Sequence, residues 1–276
     1  MTQAPRRARQ RLDQLVLERG LAESRSRAQA LILAGKVRVG DGDAARRDLK
    51  SGDLLDPTVA IAVDVPEPYV SRGGHKLAAA LDAFGIDPAE RVCLDAGAST
   101  GGFSDVLLQH GAARVYAVDV GRGQLADTLQ RDPRVVSMER TNARTLGPGV
   151  LPEFVGLAVV DVSFISLGLV LGPIAACFGP TGGPIVALVK PQFEAGRAAV
   201  DKGVVRDPAI HLDVLRRTVA TARGLGLAAV ALMASPILGP EGNREFLLCL
   251  EVVGDPGAVP AADRLTAARL AEVVGR

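Results

Sequence analysis

Apolar and polar positions follow two different rhythms along this chain. From residue 92 onward, short apolar runs recur, each closed by a charged residue. Val92-Cys93-Leu94 precedes Asp95, and Val115-Tyr116-Ala117-Val118 precedes Asp119. Leu157-Ala158-Val159-Val160 precedes Asp161, and Ile185-Val186-Ala187-Leu188-Val189 precedes Lys190. Runs that are apolar throughout predict strands covered on both faces, as in a parallel sheet. Between them the period lengthens: Leu77, Ala80, Leu81 and Phe84 share one helical face, and Val106, Leu107 and Leu108 begin another helix after Phe103. Residues 135–138, 228–233 and 245–253 complete seven predicted strands. The connection before the seventh strand is short, so that strand should run antiparallel to the sixth. Alternating strands and helices predict a doubly wound α/β domain with a Rossmann-like seven-stranded sheet and an antiparallel last strand.

The first 64 residues have another rhythm. Leu12, Leu15 and Val16 mark a short helix ended by Gly20, and Ser24 is a natural N-cap for a second helix closed by Gly35. Lys36-Val37-Arg38-Val39 then alternates as a strand, and a further strand is expected across residues 58–63. This predicts a small α+β domain over residues 1–64. Residues 65–69 carry two prolines and read as a linker, leaving residues 70–276 to the larger domain.

Charge sharpens the division. The net charge of the 276 residues is +1. Residues 1–38, however, hold nine Lys or Arg against three acids, a net +6 that leaves −5 for the rest. A basic head on an acidic body suggests a polyanion-binding module attached to something else. Arg6, Arg7, Arg11, Arg25, Arg27, Lys36 and Arg38 are its candidate contacts. Arg25 and Arg27 oppose the dipole of the second helix, which makes sense if a phosphate sits at that helix start.

Hydrophobic residues are 48% of the chain with no Trp, so the core must be aliphatic. The three cysteines are far apart in apolar runs, which points to buried thiols in a reducing compartment. No metal-ligand spacing is present. No apolar stretch follows the basic start as a secretory signal would, so a cytoplasmic location is expected. Residues 162–189 carry no charge, but glycine and proline interrupt them, so a helix, a turn and a strand are expected rather than a membrane span.

Candidate chemistry gathers at the ends of the predicted strands, where doubly wound sheets bind ligands. Gly97, Gly101 and Gly102 follow Asp95, but Ser99 stands where a dinucleotide fingerprint needs its second glycine. An acid just before such a turn suits a ligand with a cationic end and no phosphate, and S-adenosylmethionine fits; a dinucleotide or a purely structural turn is the alternative. Its candidate contacts are Asp95, Gly97, Ser99, Thr100, Gly101, Gly102, Phe103, Asp119 for ribose hydroxyls, Asn142 and Asp161. Asn142 could instead form a turn. Residues 191–208 form a long loop, either a lid or a surface excursion. The antiparallel last strand brings Glu245 to the same edge, so Lys76, Asp161, Lys190 and Glu245 can meet at one rim.

Two resemblances add to this. Residues 11–64, through Arg11-Leu12-Asp13, Gly20-Leu21, Ser24-Arg25, Ala28, Leu31-Ile32, Gly35 and Val37-x-Val39, resemble the RNA-binding domain first seen in the fourth protein of the small ribosomal subunit. Nearly the whole chain resembles the TlyA (hemolysin-A) family of ribosomal RNA 2′-O-methyltransferases. The carrying motifs are Ser71-Arg72-Gly73-x-His75-Lys76-Leu77, the Asp95 to Phe103 turn, Asp119-Val120-Gly121, Asp161-x-Ser163-Phe164-Ile165-Ser166, Val189-Lys190-Pro191-Gln192-Phe193-Glu194 and Gly239-Pro240-x-Gly242-Asn243-x-Glu245. The resemblance implies a Lys-Asp-Lys-Glu tetrad at Lys76, Asp161, Lys190 and Glu245, shared with FtsJ-like methyltransferases. It also implies S-adenosylmethionine as donor and a ribosomal RNA cytidine, on naked RNA or assembled subunits, as substrate. The arginine-rich start resembles the longer family type that acts on both subunits. In that chemistry a neutral lysine takes the hydroxyl proton. A lysine's ordinary pKa of about 10.4 makes the neutral form scarce at neutral pH. A second lysine and burial favour that form and carboxylates oppose it, so the carboxylates more plausibly aim the amines. Lys190 is the expected base, Lys76 orients the ribose, and no metal is required. The family's older name keeps a pore-forming hemolysin open as a rival, together with an RNA-binding protein whose enzyme domain is inactive.

Overall fold

The computed structural model describes residues 8–42, 45–64, 67–196, 199–253 and 264–275. The chain divides into two compact units, one ending at Glu67 and one starting at Pro68.

The first unit contains β1 (Gln10–Arg11), α1 (Leu12–Glu18), α2 (Arg25–Leu33), β2 (Val37–Val39), β3 (Leu54–Leu55) and β4 (Ile61–Val63). Leu12, Val16, Ala28, Ile32, Val37 and Val39 form its core. Ser24 caps α2 as expected, its Oγ accepting from the Arg27 N–H at 3.2 Å. Strands β2 and β4 pair antiparallel, and β1 pairs with β3. The β1–β3 pair has too few residues to show an apolar alternation. β4 is shorter than the expected strand because the Asp56 side chain accepts from the Thr58 N–H at 2.8 Å, turning the chain there.

The second unit runs α3 (Gly73–Phe84), β5 (Val92–Ala96), α4 (Gly102–Gln109), β6 (Arg114–Val118), α5 (Asp127–Gln130), β7 (Val135–Met138), β8 (Leu157–Val160) and α6 (Leu171–Ala175). It continues with β9 (Gly183–Val189), α7 (Pro191–Glu194), α8 (Pro208–Gly224), β10 (Leu227–Ala234), β11 (Phe246–Val252) and α9 (Ala267–Gly275). Seven strands form one sheet in the order β7-β6-β5-β8-β9-β11-β10. All run parallel except β11, which is antiparallel to both neighbours. This is the expected Rossmann-like sheet. Its strands read as unbroken apolar runs because both faces are covered. On β9, Ile185, Ala187 and Val189 enter one core and Val186 and Leu188 the other.

Residues 121–126 lead from Asp119 to the short α5, and the Asp119 carboxylate accepts from the Gly121 N–H at 2.7 Å. In the charge-free stretch 162–189, only α6 and a 3-10 turn (Leu167–Leu169) are helical. Among the described residues no helix is long and apolar enough to cross a membrane. The loop after β9 is anchored at its far end. Buried Asn243 accepts from the Val205 N–H at 3.1 Å and donates to the Gly203 carbonyl at 2.8 Å.

Candidate active site

The parallel strands deliver their last residues to one edge. Gly97 follows β5, Asp119 follows β6, Asp161 follows β8 and Lys190 follows β9. The Asp161 N–H donates to the Ala96 carbonyl at 2.9 Å, locking two of these ends together. Gly97 has φ +89°, and a Cβ there would lie 2.6 Å from the Asp161 carbonyl oxygen. Only glycine lets the turn pass this close. Because β11 is antiparallel, its beginning sits at the same edge: Phe246 pairs with Val189, which sets Glu245 beside Lys190 in the sheet.

Lys76 comes from the first turn of α3. It is 7% exposed, and its Nζ lies 2.5 Å from Glu245 Oε2; Glu245 is fully buried. Taken alone, a lysine in a first helical turn reads as a solvated residue, and packing makes it the reverse. Lys190 Nζ lies 2.6 Å from Asp161 Oδ1 and donates to Ser163 Oγ at 2.7 Å. All four charged residues line one cavity of about 550 Å³, together with Gly97, Ser99, Thr100, Gly102 and Phe103. Burying one such charge alone is costly, so their arrangement as two ion pairs is what makes the cluster tolerable.

An adjoining cavity of about 800 Å³ shares Gly97, Ser99, Asp161 and Ser163 with the first and adds Asp119, Val120, Asn142, Val162 and Leu169. The Asp119 carboxylate accepts from the Ser99 N–H at 2.8 Å as well as from Gly121, and each oxygen retains a second lone pair. Asn142 shows the turn-forming alternative: its side chain accepts from the Arg144 N–H at 3.0 Å while it still borders the cavity. A glycine cradle, a carboxylate at one rim and apolar walls fit an adenosine carrying a cationic tail. Two predicted contacts stand behind this wall. Gly101 has φ +93° and packs against Leu125 and Leu129. Asp95 is fully buried and accepts from Ser104 Oγ at 2.7 Å. Burial pushes its carboxyl up to about 7; the Ser104 hydroxyl opposes this, and the negative charges of Asp161 and Asp119 reinforce it.

In the first unit, Arg11 and Arg25 both reach the buried Asp13 carboxylate at 3.0 Å, and Arg38 pairs with Asp64 at 3.0 Å. Arg25 therefore faces a carboxylate of its own unit as well as the helix start. Among the described residues, Arg27 and Lys36 have no ion-pair partner; Arg6 and Arg7 lie outside them. The patterning gave no role to Ser163, which stood in a motif only as the second residue after Asp161, or to Ser104. Their partners are distant in sequence or hidden by the turn.

A doubly wound seven-stranded sheet with a reversed last strand, carrying a glycine turn and lysine–carboxylate pairs at its carboxyl edge, defines an S-adenosylmethionine-dependent methyltransferase. Residues 69–252 match the FtsJ-like methyltransferase family, and residues 10–42 match the S4 domain. The chain is 49% identical over 250 residues to the 16S/23S rRNA (cytidine-2′-O)-methyltransferase TlyA of Mycobacterium tuberculosis, covering 90% of this chain and 91% of that one. It is 42% identical over 239 residues to Hemolysin A of Brachyspira hyodysenteriae, covering 86% and 98%. A solved structure from Streptococcus thermophilus, provisionally named a hemolysin, superposes with a TM-score of 0.72 at 41% identity, covering 97% of this chain and 95% of that one. The chain belongs to the TlyA family of FtsJ-like methyltransferases, and its methyl donor is S-adenosylmethionine.

Proposed function

We propose that the protein methylates the ribose 2′-hydroxyl of a cytidine in ribosomal RNA, with residues 1–64 holding RNA, residues 65–69 linking, and residues 70–276 carrying the chemistry. The observation that supports this best is the pair of lysine–carboxylate contacts lining one cavity beside the glycine turn. The bound cofactor supplies an electrophilic methyl group on a sulfonium. Gly97, Ser99, Thr100, Gly102 and Phe103 shape its seat, Asp119 and Asn142 border its nucleoside end, and Asp95 and Gly101 support the turn from behind. Lys190 takes the hydroxyl proton, and Asp161 aims its amine. Lys76, held by Glu245, orients the ribose. Arg11, Arg25, Arg27, Lys36 and Arg38, with Arg6 and Arg7 before them, meet RNA phosphates rather than base edges. The work is cytoplasmic, where ribosomal RNA is found.

Mapping 2′-O-methyl positions on ribosomal RNA from cells with and without the protein tests this reading and names the subunit. Identical maps would remove it. The Brachyspira relative's name keeps a hemolysin reading in view; purified protein releasing dye from lipid vesicles would support that instead.

A further inference from the structure

Lys190 has two close oxygen partners, and only the Ser163 hydroxyl meets it as a hydrogen bond; Asp161 Oδ1 lies at ion-pair distance with no hydrogen-bond partner among the described residues. Ser163 Oγ accepts from Nζ at 2.7 Å, a contact as close as the 2.6 Å ion pair to Asp161. Ser163 is also shared by the two adjoining cavities, so it stands between the tetrad and the pocket that fits the cofactor. Its position follows from the strand end: β8 stops at Val160, Asp161 turns out of the sheet, and Ser163 returns beside the same amine. The next residue, Phe164, has φ +63°, so the backbone leaves the extended conformation just beyond the serine.

The count of donors gives this contact a meaning. A neutral lysine amine keeps two N–H donors and one lone pair. Left without an acceptor, the amine turns about its terminal bond and the lone pair sweeps a cone. Ser163 commits one N–H, and the Asp161 charge beside the amine biases the rotation that remains, so the lone pair's directions narrow. Lys190 is mostly enclosed, and its remaining open side is the cavity it lines.

We propose that Ser163 is a positioning residue for methyl transfer: by accepting from Lys190 Nζ beside the Asp161 charge it restricts rotation of the neutral amine and so turns its lone pair toward the target ribose hydroxyl. The inference rests on the reading of Lys190 as base. While the ribose oxygen takes the methyl group, with the bonding pair left on sulfur, its proton passes to Nζ. The ammonium then has three N–H donors, for Asp161, Ser163 and the methylated oxygen. The serine neither gains nor loses a proton overall, and its own O–H stays free to donate to a further oxygen of the bound nucleotide.

Single-turnover methyl transfer to ribosomal subunits, at saturating RNA and S-adenosylmethionine, tests the proposal in the full chain. Ser163→Ala should slow the step about tenfold, the weight of one aligned hydrogen bond. Cofactor affinity by calorimetry and the KM for RNA should stay within about twofold of wild type. Ser163→Thr, which keeps the hydroxyl, should recover most of the rate. Wild-type turnover in Ser163→Ala would overturn the proposal. So would equal slowing in both variants, which marks a packing effect, or a loss confined to cofactor affinity. Lys190→Ala run alongside separates the two levels. An active Lys190→Ala removes the base itself, whereas an inactive one beside a fully active Ser163→Ala removes only the serine's part.

Discussion

The two units each bury an aspartate completely, and they treat it in opposite ways. Asp13, in the first unit, receives Arg11, Arg25 and Gln29 at 2.8–3.0 Å. These donors hold its carboxyl far below the ordinary range, the Arg11 hydrogen bond foremost, against the cost of burial. Asp95, in the second unit, has the single Ser104 hydroxyl, and its Oδ1 has no hydrogen-bond partner among the described residues. There burial prevails and the carboxyl is pushed up to about 7. Burial alone therefore does not set the charge state; the number of donors does. The first unit saturates its buried charge and gains a rigid junction between α1 and α2. The second keeps its charges in sparse pairs at a cavity wall, where spare capacity can meet a ligand.

If that contrast is right, removing a charge should cost activity in one unit and stability in the other. Lys190→Ala should lower methyl transfer about a thousandfold while calorimetric affinity for S-adenosylmethionine stays near wild type. Transfer at the wild-type rate would break the contrast at its strongest point. Asp13→Ala should destabilise the first unit by about 2 kcal/mol, because three donors lose their shared acceptor although two of them can turn to water. Hydrogen exchange at the α1 and α2 amides reads this, and cofactor affinity should not follow.

The third prediction is one of sign. Folded Asp95 keeps its proton to about pH 7, whereas the unfolded chain releases it at the ordinary value near 4. The folded state thus binds the extra proton in between, and its stability falls as pH rises through that window. Asp13 has the reverse linkage: its contribution is complete above the ordinary value and is lost as pH falls below it. Asp95→Asn should flatten the decline between about pH 4 and 7, seen in thermal melts of the full chain as a gain at pH 8 and little change at pH 5. An unaltered pH slope would mean that Asp95 is ionised in the fold. The smallest effect belongs to Ser104→Ala, about 1 kcal/mol, from loss of the hydrogen bond that its hydroxyl donates to the Asp95 carboxylate. It should extend the decline that Asp95→Asn removes to higher pH, because the hydroxyl that holds the Asp95 carboxyl down is gone.

The linear chain showed its elements most clearly where environment is uniform. The runs ending in Asp95, Asp119, Asp161 and Lys190 are strands because parallel strands bury both faces. Ser24 and Gly20 marked helix ends because capping is local chemistry. Legibility failed where one side chain outweighed the pattern. Asp56 turned the chain and shortened β4.

Sequence by itself determined the strand and helix order, the reversed last strand and the residue types gathered at one edge, because periodicity and turn length are short-range properties. It could not show that Lys76 is buried against a carboxylate 169 positions away, that Lys190 has a serine as well as an aspartate, or that Asp95 stands behind the cavity wall rather than in it. Those are matters of distance and dielectric, set only when β11 lies beside β9 and α3 closes over the sheet edge. A charge acquires its chemistry from its neighbours, and the tertiary fold chooses them.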